Sequence, residues 1–542
     1  MLMNNPISVY DSLIILIYLA AVLGIGLYLR NRDKNLTDYF LAGRNLGWFA
    51  VGISLFATNI SSEHFIGLAG QGASRGLAVA QFELIAIFLL IMLGWFITPI
   101  YKRAGILTTP EFLEKRFDAS SRKFFSALSI FTYVITKVLV TLFAGGILFN
   151  KIFGLSIFSS AVIIILLTGI YSLVGGFSAV VRTQVFQGIV LIIGAVLLTI
   201  FSFNEVGGLA GLRERLPAEH FQMFKPMSDP DFPWTGIIFG APIIAFWYWC
   251  ADHYIVQRVL GAKSINDART GTIIASFLKI LPLFLLVLPG LIAFALYPDV
   301  RGDEAYPQLL ASNILPVGIK GIVIAGFLSA VMSSLSSAFN SIAALYTIDF
   351  YQPKHPDASD RTLVFVGRMA TITTVGVVIL LVPFVKIVNS HIYIFLQSTQ
   401  AFISAPITAV FILGLTFKKI NAKSAFISLI AGEFLGVSRF LIEFLNKSGM
   451  INNPILVAYA EINYLHFTIF LFLATSFLLI SLSYFFRYGT EFGSQKINFL
   501  FAQKNSGPDI TNNAAGISRI GVNVVLSGLI LILTLSLWYL FV

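Results

Sequence analysis

The chain has 542 residues, of which 57% are hydrophobic and only 11% are charged. A soluble domain carries roughly 25% charged residues, so the composition excludes an ordinary soluble enzyme and indicates a protein of the lipid bilayer. The net charge of +10 does not indicate nucleic-acid binding, because Lys and Arg are scattered through short loops and form no continuous patch. The single cysteine, Cys250, excludes a disulfide framework.

Apolar runs long enough to cross a bilayer follow one another along the chain. A span needs about 20 apolar residues, and in lipid such runs must be helical because exposed backbone polar groups are too costly there. The sequence therefore predicts an all-α integral membrane protein with fourteen transmembrane helices. The predicted spans are 9–30, 47–71, 77–101, 124–150, 156–175, 181–204, 236–257, 271–297, 317–348, 362–385, 388–416, 421–446, 463–487 and 518–541.

Basic residues in the loops predict the orientation of the spans. If the N-terminus is outside, the inner loops collect most of the Lys and Arg, for example Lys102, Arg103, Lys115 and Arg116. An even number of spans then places both termini outside. We expect a multi-pass protein of the plasma membrane, in a bacterial inner membrane, with lipid and a small solute as partners and no required protein partner. We predict no function for the inner loop 489–518.

Polar residues inside two spans predict broken helices. The second span contains Asn59, Glu63 and His64 within ATNISSEHF, and the seventh contains Asp252 and His253 within WYWCADHY. Each could be a polar contact between helices, or a discontinuous helix whose freed carbonyls hold an ion and a solute. Because the two disturbances lie five spans apart, we favour the second interpretation, which is typical of inverted-repeat transporters.

Further polar residues lie within other spans. Glu83 and Lys279 lie deep and need partners, and a carboxylate with an ammonium suits a polyhydroxylated solute. We expect Lys137 to extend toward the membrane surface along its apolar stem. The serine stripe of the ninth span, which includes Ser333 and Ser334, either packs helices closely or supplies oxygen ligands to a hard cation such as sodium.

Several long motifs at these positions resemble those of one transporter family. ATNISSEHFIGLAGQG, GWFITPIYKRAGILTTPEFLEKRF, WYWCADHYIVQRVLGAKS, SFLKILPLF and AVMSSLSSAFNS stand in this order. Together they resemble the sodium/solute symporters, in particular a bacterial-type sugar or polyol member of the sodium–glucose cotransporter branch. The resemblance implies a LeuT-type fold with two inverted repeats of five helices. The single transporter domain, 1–542, would comprise a first helix at 9–30, repeats at 47–204 and 236–416, and three C-terminal helices at 421–541.

The resemblance also implies which residues form the sites. The carbonyls of Ala57, Ile60 and Ala330 and the hydroxyls of Ser333 and Ser334 would hold sodium, which is co-transported, and no organic cofactor is expected. The solute would be bound by Asn59, His64, Glu83, Lys279 and Gln397, with Tyr248 under its ring and Trp249 beside it. The outer gate would consist of Leu68, Phe82 and Tyr393, and Tyr248 would serve as the inner gate.

Departures from the family pattern refine the expectation. Gln184 stands where many members have an aspartate, which is linked there to a second sodium near Ser336 and Ser337, so we expect one sodium per solute. Ala245 and Gln400 also depart and leave the particular solute open. The expected function is sodium-coupled uptake of a glucose- or galactose-like monosaccharide, or of a polyol such as inositol, by alternating access. The alternatives are uptake of a carboxylate or an amino acid, and a sugar-gated sensor or channel; no enzymatic activity is expected.

Overall fold

The computed structural model describes residues 7–28, 35–383, 392–486 and 514–541. Within these ranges the regular structure is helical, apart from two isolated β-bridges. Twelve helical runs among the described residues are long and apolar enough to cross a membrane. They are Val9–Tyr28, His64–Ala104, Ala119–Phe153, Gly175–Glu205, Trp234–Ala251, Ile265–Leu296, Ile319–Lys354, Asp360–Leu381, Ile392–Thr416, Ala422–Lys447, Tyr464–Phe485 and Arg519–Leu540. Two further apolar helices, Trp48–Asn59 and Ile157–Leu173, are shorter.

Twelve is fewer than the fourteen spans that hydropathy predicts, because the structure divides one predicted span and shortens another. In the predicted span 47–71 the helix Trp48–Asn59 forms the first part and the helices from His64 to Arg75 form the second, whereas 156–175 corresponds to Ile157–Leu173. Trp48–Asn59 has 12 residues and so extends about 18 Å, less than the roughly 30 Å of a bilayer core. Its shortness has a local cause, since the backbone leaves the helical conformation at Ile60. Most of the predicted loop 489–518 lies outside the described residues.

The long helical run His64–Ala104 turns sharply at Gly76. This glycine has a φ of +74°, and a Cβ added to it would lie 2.2 Å from the carbonyl oxygen of His220. Only glycine can occupy such a position without a steric clash. The turn separates the helix Ala69–Arg75 from the helix Gln81–Met92, which carries Glu83.

Within the part of the chain that the structure describes, two helices are each interrupted by a residue in the extended conformation. The first broken helix consists of Trp48–Asn59 and of His64–Leu68, which continues into Ala69–Arg75; Ile60 between them is extended, with φ −77° and ψ 111°. The second broken helix consists of Ala241–Phe246 with Trp247–Ala251, and of His253–Leu260; Asp252 between them has φ −70° and ψ 118°. Both breaks lie where the polar residues of the sequence predict them.

Two continuous helices pack against the broken ones. The serine helix, Ile319–Leu345, is buried along nearly its whole length and contacts both broken helices. The bracing helix, Ala119–Phe153, lies beside the serine helix and contacts the first broken helix at His64–Leu68. This arrangement surrounds the two breaks with protein, so that their free backbone groups are shielded from lipid.

Several predicted site residues lie on π-helical stretches. His64–Leu68, Tyr133–Leu139 and Trp247–Ala251 are π-helical. A π-helical turn inserts an extra residue into an α-helix, and such turns occur frequently at functional sites. The stretches near the two breaks carry His64, Tyr248 and Trp249, and therefore orient three of the predicted solute-binding side chains.

Candidate functional site

A polar cavity of about 60 Å³ lies between the two broken helices. Its lining includes most of the side chains predicted to bind or gate the solute: Asn59, His64, Phe82, Glu83, Tyr248, Trp249, Lys279, Tyr393 and Gln397. Leu68, the remaining gate residue, is fully buried on the π-helical stretch that begins at His64 and is not part of the lining. The structure thus brings together residues that come from five separate predicted spans.

The polar centre of the cavity is formed by Lys279, Glu83 and Asn59. The ammonium of Lys279 donates hydrogen bonds to Glu83 Oε2 and, at 2.6 Å, to Asn59 Oδ1. The side chains of Lys279 and Glu83 are only 1% and 4% exposed. Removing one member of a buried ion pair costs about 3–5 kcal/mol because the other charge is left unpaired. Solute hydroxyls can satisfy both groups, since a hydroxyl donates and accepts hydrogen bonds.

Asn59 and His64 connect this centre to the rest of the site. The Asn59 amide nitrogen donates to the hydroxyl of Tyr248 at 3.0 Å, which joins the two broken helices. The backbone N–H of Ser61 points to His64 Nδ1 at 3.4 Å, so Nε2 is the nitrogen that carries the proton in the neutral ring. His64 Nε2 lies 3.6 Å from Glu83 Oε1. The His64 N–H is therefore oriented toward the carboxylate, where a solute hydroxyl would meet both groups.

Aromatic rings form the walls of the cavity. The rings of Tyr248 and Trp249 lie 5.1 Å apart at an angle of 69°. On another side, the ring of Tyr393 lies 6.0 Å from that of Phe82 and 6.4 Å from that of His64. Aromatic faces combined with a few convergent polar groups are typical of small-molecule sites.

The prediction for Lys137 is wrong. The side chain is not at the membrane surface, because the residue is 4% exposed and its ammonium lies over two aromatic rings. The distances from Nζ to the ring centroids are 4.0 Å for Tyr248 and 5.0 Å for Tyr254. Lys137 lies on the face of the bracing helix that packs against the broken helices, so its stem extends toward the cavity and not toward lipid.

Four of the five predicted sodium ligands, Ala57, Ala330, Ser333 and Ser334, lie beside the first break. The hydroxyl of Ser333 lies 2.7 Å from the carbonyl oxygen of Ala57 and 3.0 Å from that of Ala330. The hydroxyl of Ser334 donates to the carbonyl of Thr58 at 3.0 Å. All of these groups present oxygen atoms, which are the ligands that hard cations prefer.

Thr58 is a residue of this cluster that the sequence did not indicate. Its carbonyl accepts hydrogen bonds from Ser334 and, at 2.8 Å, from the hydroxyl of Tyr254. Ile60, the fifth predicted ligand, is the extended residue at the break itself. No signal in the sequence distinguishes Thr58 from its neighbours, because the direction of a carbonyl is set by the break and not by the side chain.

Gln184 lies next to this cluster and is fully engaged. Its amide nitrogen donates to the Ser333 carbonyl at 3.0 Å and to the Ser337 hydroxyl, while its oxygen accepts from Ser54 at 2.6 Å. The buried guanidinium of Arg258 also donates to Ser337. The oxygen of Ser337 therefore faces two nitrogen donors, one of which carries a full positive charge.

Asp252 and His253 do not pair with each other. Asp252 Oδ1 accepts hydrogen bonds from the Tyr133 hydroxyl and, at 3.1 Å, from the backbone N–H of Tyr254, which caps the helix His253–Leu260. The ring nitrogens of His253 have no hydrogen-bond partner within the described ranges. The carboxylate thus stabilises the second break through helix capping.

Asp303 lies between two spans and contacts the helix that carries Tyr393. Its Oδ2 accepts a hydrogen bond from the backbone N–H of Ile392 at 3.0 Å, in the helix Ile392–Thr416. The residue is 6% exposed, and this burial raises the pKa of the carboxyl to about 7. The contact links the short segment Gly302–Glu304 to the predicted outer gate.

Comparison with known proteins agrees with this arrangement. The sequence pattern described as "SSF: Sodium:solute symporter family" matches residues 39–432. The chain is 36% identical over 531 residues to the "Sodium/glucose cotransporter 2" of Rattus norvegicus, covering 89% of this chain and 79% of that protein. It is 34% identical over 557 residues to the "Sodium/myo-inositol cotransporter 2" of Mus musculus, with coverages of 94% and 83%.

A solved structure shares the fold. It is the substrate-bound, outward-open state of a Na⁺-coupled sialic acid symporter, which superposes with a TM-score of 0.75 at 24% sequence identity. The superposition covers 88% of this chain and 98% of that one. At this level of identity the similarity concerns the fold alone.

The fold and the site define a multi-pass membrane transporter that couples solute movement to sodium, and not an enzyme. The chain belongs to the sodium:solute symporter family. The family expected from the sequence motifs is thereby confirmed, as is an all-helical membrane fold shared with a symporter of known structure.

Proposed function

We propose that this symporter takes up a monosaccharide or a polyol, such as glucose, galactose or myo-inositol, by alternating access. The observation that carries the proposal is the buried network of Lys279, Glu83 and Asn59 beside the rings of Tyr248 and Trp249. A polyhydroxylated ring presents hydroxyls to the network and an apolar face to an aromatic ring. Relatives named for glucose and for myo-inositol support this solute class.

The proposed architecture is the LeuT-type fold with fourteen spans. Its inverted repeats would occupy 47–204 and 236–416, preceded by the helix at 9–30 and followed by three helices at 421–541. The position of the two breaks supports this division, because each lies in the first helix of one repeat. The loop charges support a plasma-membrane orientation with both termini outside, as in a bacterial inner membrane.

Sodium would bind between the first broken helix and the serine helix. Its proposed ligands are the carbonyls of Ala57, Ile60 and Ala330 and the hydroxyls of Ser333 and Ser334. The Ser333 hydroxyl now donates to Ala57 at 2.7 Å; on binding, the hydroxyl would turn its oxygen toward the ion. A bound ion would hold the two helices together and so shift the population toward the state that binds solute.

One sodium per solute is proposed because the Ser337 hydroxyl, beside Gln184, already accepts hydrogen bonds from two nitrogen donors. The amide of Gln184 and the guanidinium of Arg258 both donate to Ser337. A second cation at that hydroxyl would meet the positive charge of Arg258, and the neutral amide of Gln184 could not offset the repulsion.

The coupling is energetically sufficient for accumulation. A membrane potential of about 100 mV contributes roughly 2.3 kcal/mol per charge, and a tenfold sodium gradient adds about 1.4 kcal/mol. Together these terms permit an accumulation of several hundred-fold with one sodium ion. The proposed cycle closes the outer gate of Leu68, Phe82 and Tyr393 over the solute, after which movement of Tyr248 opens the path to the cytoplasm.

A competition experiment tests the solute class. Sodium-dependent uptake of radiolabelled galactose into cells that express the protein is measured with excess glucose, myo-inositol, proline or lactate. We expect competition by hydroxylated solutes and none by lactate, because Lys279 already pairs with the carboxylate of Glu83 and this pair offers no free cation to an anionic solute. Uptake of proline or lactate without uptake of any sugar or polyol would remove the proposal.

A further inference from the structure

A row of three buried polar side chains on the bracing helix faces both breaks. Tyr133, Lys137 and Thr141 follow one another at intervals of four residues, and side chains at this spacing lie on one face of a helix. Tyr133 and Thr141 are fully buried and Lys137 is 4% exposed. One face of the bracing helix can therefore contact both broken helices.

The ends of the row hold one break each. The Tyr133 hydroxyl donates to Asp252 and accepts from the backbone N–H of Tyr254 at 3.0 Å, at the second break. At the first break, Thr141 Oγ1 donates to Glu63 Oε2 at 3.1 Å. The Thr141 carbonyl also accepts from the Ser62 hydroxyl at 2.7 Å. The bracing helix thus fixes the distance between the two breaks.

Lys137 occupies the middle of the row. Its ammonium lies 4.0 Å from the ring centroid of Tyr248 and 5.0 Å from that of Tyr254. A cation over an aromatic face is attracted most strongly when both are withheld from water. Lys279, by comparison, already donates hydrogen bonds to Glu83 and Asn59 within the cavity. The two lysines of the cavity therefore differ in their partners: Lys279 binds polar side chains, whereas Lys137 lies over an aromatic ring.

We propose that Lys137 is a positioning residue that holds the ring of Tyr248 in the orientation on which the solute stacks. The neighbours of Lys137 in the row, Tyr133 and Thr141, donate hydrogen bonds to Asp252 and Glu63, one beside each break. The inference rests on the proposed function, since it concerns the solute site of that function. It adds a link between the breaks and the aromatic ring, because the helix face that carries Lys137 also contacts both breaks.

The test is a double-mutant cycle measured by equilibrium binding of radiolabelled glucose and myo-inositol to purified protein in sodium. Lys137→Met keeps the length of the side chain and removes the charge, and we expect it to weaken binding about tenfold. Lys137→Arg keeps a cation over the ring and should stay within threefold of wild type. Lys151→Met, at the exposed end of the same helix, is the matched control and should bind as wild type does.

The second arm of the cycle identifies the path through which Lys137 acts. In a Tyr248→Leu background the ring is gone, so Lys137→Met should change binding less than twofold. If Lys137→Met weakens solute binding by the same factor in the Tyr248→Leu background as in wild type, Lys137 does not act through the Tyr248 ring and the inference is wrong. It is also wrong if Lys137→Met binds within twofold of wild type in the native background.

Two further outcomes are separable. If Lys137→Met does not elute as a monodisperse protein, Lys137→Arg decides: retained binding supports the inference, and a loss greater than tenfold contradicts it. If the wild-type protein binds neither glucose nor myo-inositol in the presence of sodium, this result contradicts the proposed solutes but not the role of Lys137. The Lys137 cycle is then run with the solute that the competition experiment identifies, and the same ratios between variants support or contradict the inference.

Discussion

Lys279 and Glu83 form an ion pair in the cavity, where their side chains are 1% and 4% exposed. The pair joins the helix Gln81–Met92 to the point at which Ile265–Leu278 ends. A buried ion pair adds little to net stability, because the loss of hydration offsets most of the attraction. Its presence beside aromatic walls is better explained by the proposed sugar or polyol, whose hydroxyls would replace the contacts between the two charges.

Glu83→Gln should weaken solute binding more than sodium binding. The substitution removes the charge that pairs with Lys279 and replaces a strong hydrogen-bond acceptor by a weaker one. We expect the half-saturating solute concentration to rise at least tenfold, while the half-saturating sodium concentration changes less than threefold. The measurement is initial uptake as each concentration is varied, with the exposed Glu205→Gln as control. An equal loss for both ligands would contradict the assignment of Glu83 to the solute.

Ser334→Ala should abolish the sodium dependence of uptake or move it beyond about tenfold higher sodium. The substitution deletes a hydroxyl that lies 3.0 Å from the Thr58 carbonyl at the first break. Ser329→Ala is a matched control on the same helix, because the Ser329 hydroxyl donates within that helix, to the carbonyl of Ala325 at 2.8 Å. An unchanged sodium activation curve for Ser334→Ala would remove this residue from the ligand set.

Gln184→Asp should raise the number of sodium ions that accompany each solute. A carboxylate at this position would pair with Arg258 and draw its charge away from Ser337, so the hydroxyl could face a second cation. We expect one sodium per solute in wild type and a ratio approaching two in the variant, measured by parallel sodium and solute fluxes. Gln184→Asn, which adds no charge, should keep the wild-type ratio. A ratio of two in wild type would contradict the single-site proposal.

Asp303→Asn should remove a pH dependence of stability. Burial raises the pKa of Asp303 to about 7 from the usual value near 3.8, so between these values the folded protein binds more protons than the unfolded chain. Stability therefore falls as the pH rises through this window, by up to about 1.4 kcal/mol per pH unit from this group. The melting temperature of wild type in detergent should fall from pH 5 to pH 8 relative to that of Asp303→Asn.

The control for this prediction is Asp299→Asn, which alters an exposed aspartate in the same connecting segment. It should follow wild type across the pH range. A constant difference in melting temperature between wild type and Asp303→Asn from pH 5 to pH 8 would show that Asp303 does not titrate in this window.

The sequence predicts the spans and the two breaks because hydropathy and buried polar residues are local signals. Asn59 and Asp252 interrupt apolar runs, and the structure breaks the helix beside each of them. The division of the span 47–71 into two helices could not be located to the residue in this way, since hydropathy does not register the extended conformation of Ile60. The predicted solute-binding residues came from the family resemblance, which carries information about contacts between distant segments.

The remaining features depend on directions and contacts that a single sequence does not contain. Hydropathy places Lys137 in a span but does not show which neighbour its helix face meets. The donation from Arg258 to Ser337 joins residues 79 positions apart, and that from Ile392 to Asp303 joins residues 89 positions apart. Both contacts follow from the packing of whole helices.

Sodium-driven accumulation by the purified protein in liposomes is the most direct measurement of the proposed sodium-coupled uptake of a sugar or polyol. Glucose, galactose, myo-inositol, proline and lactate are offered with an inward sodium gradient, and in parallel with equal sodium on both sides. We expect that at least one of the sugars or inositol accumulates above its external concentration when the gradient is present, and only equilibrates when it is absent. Accumulation of proline or lactate alone, or sugar entry that a sodium gradient does not concentrate, would contradict this proposal.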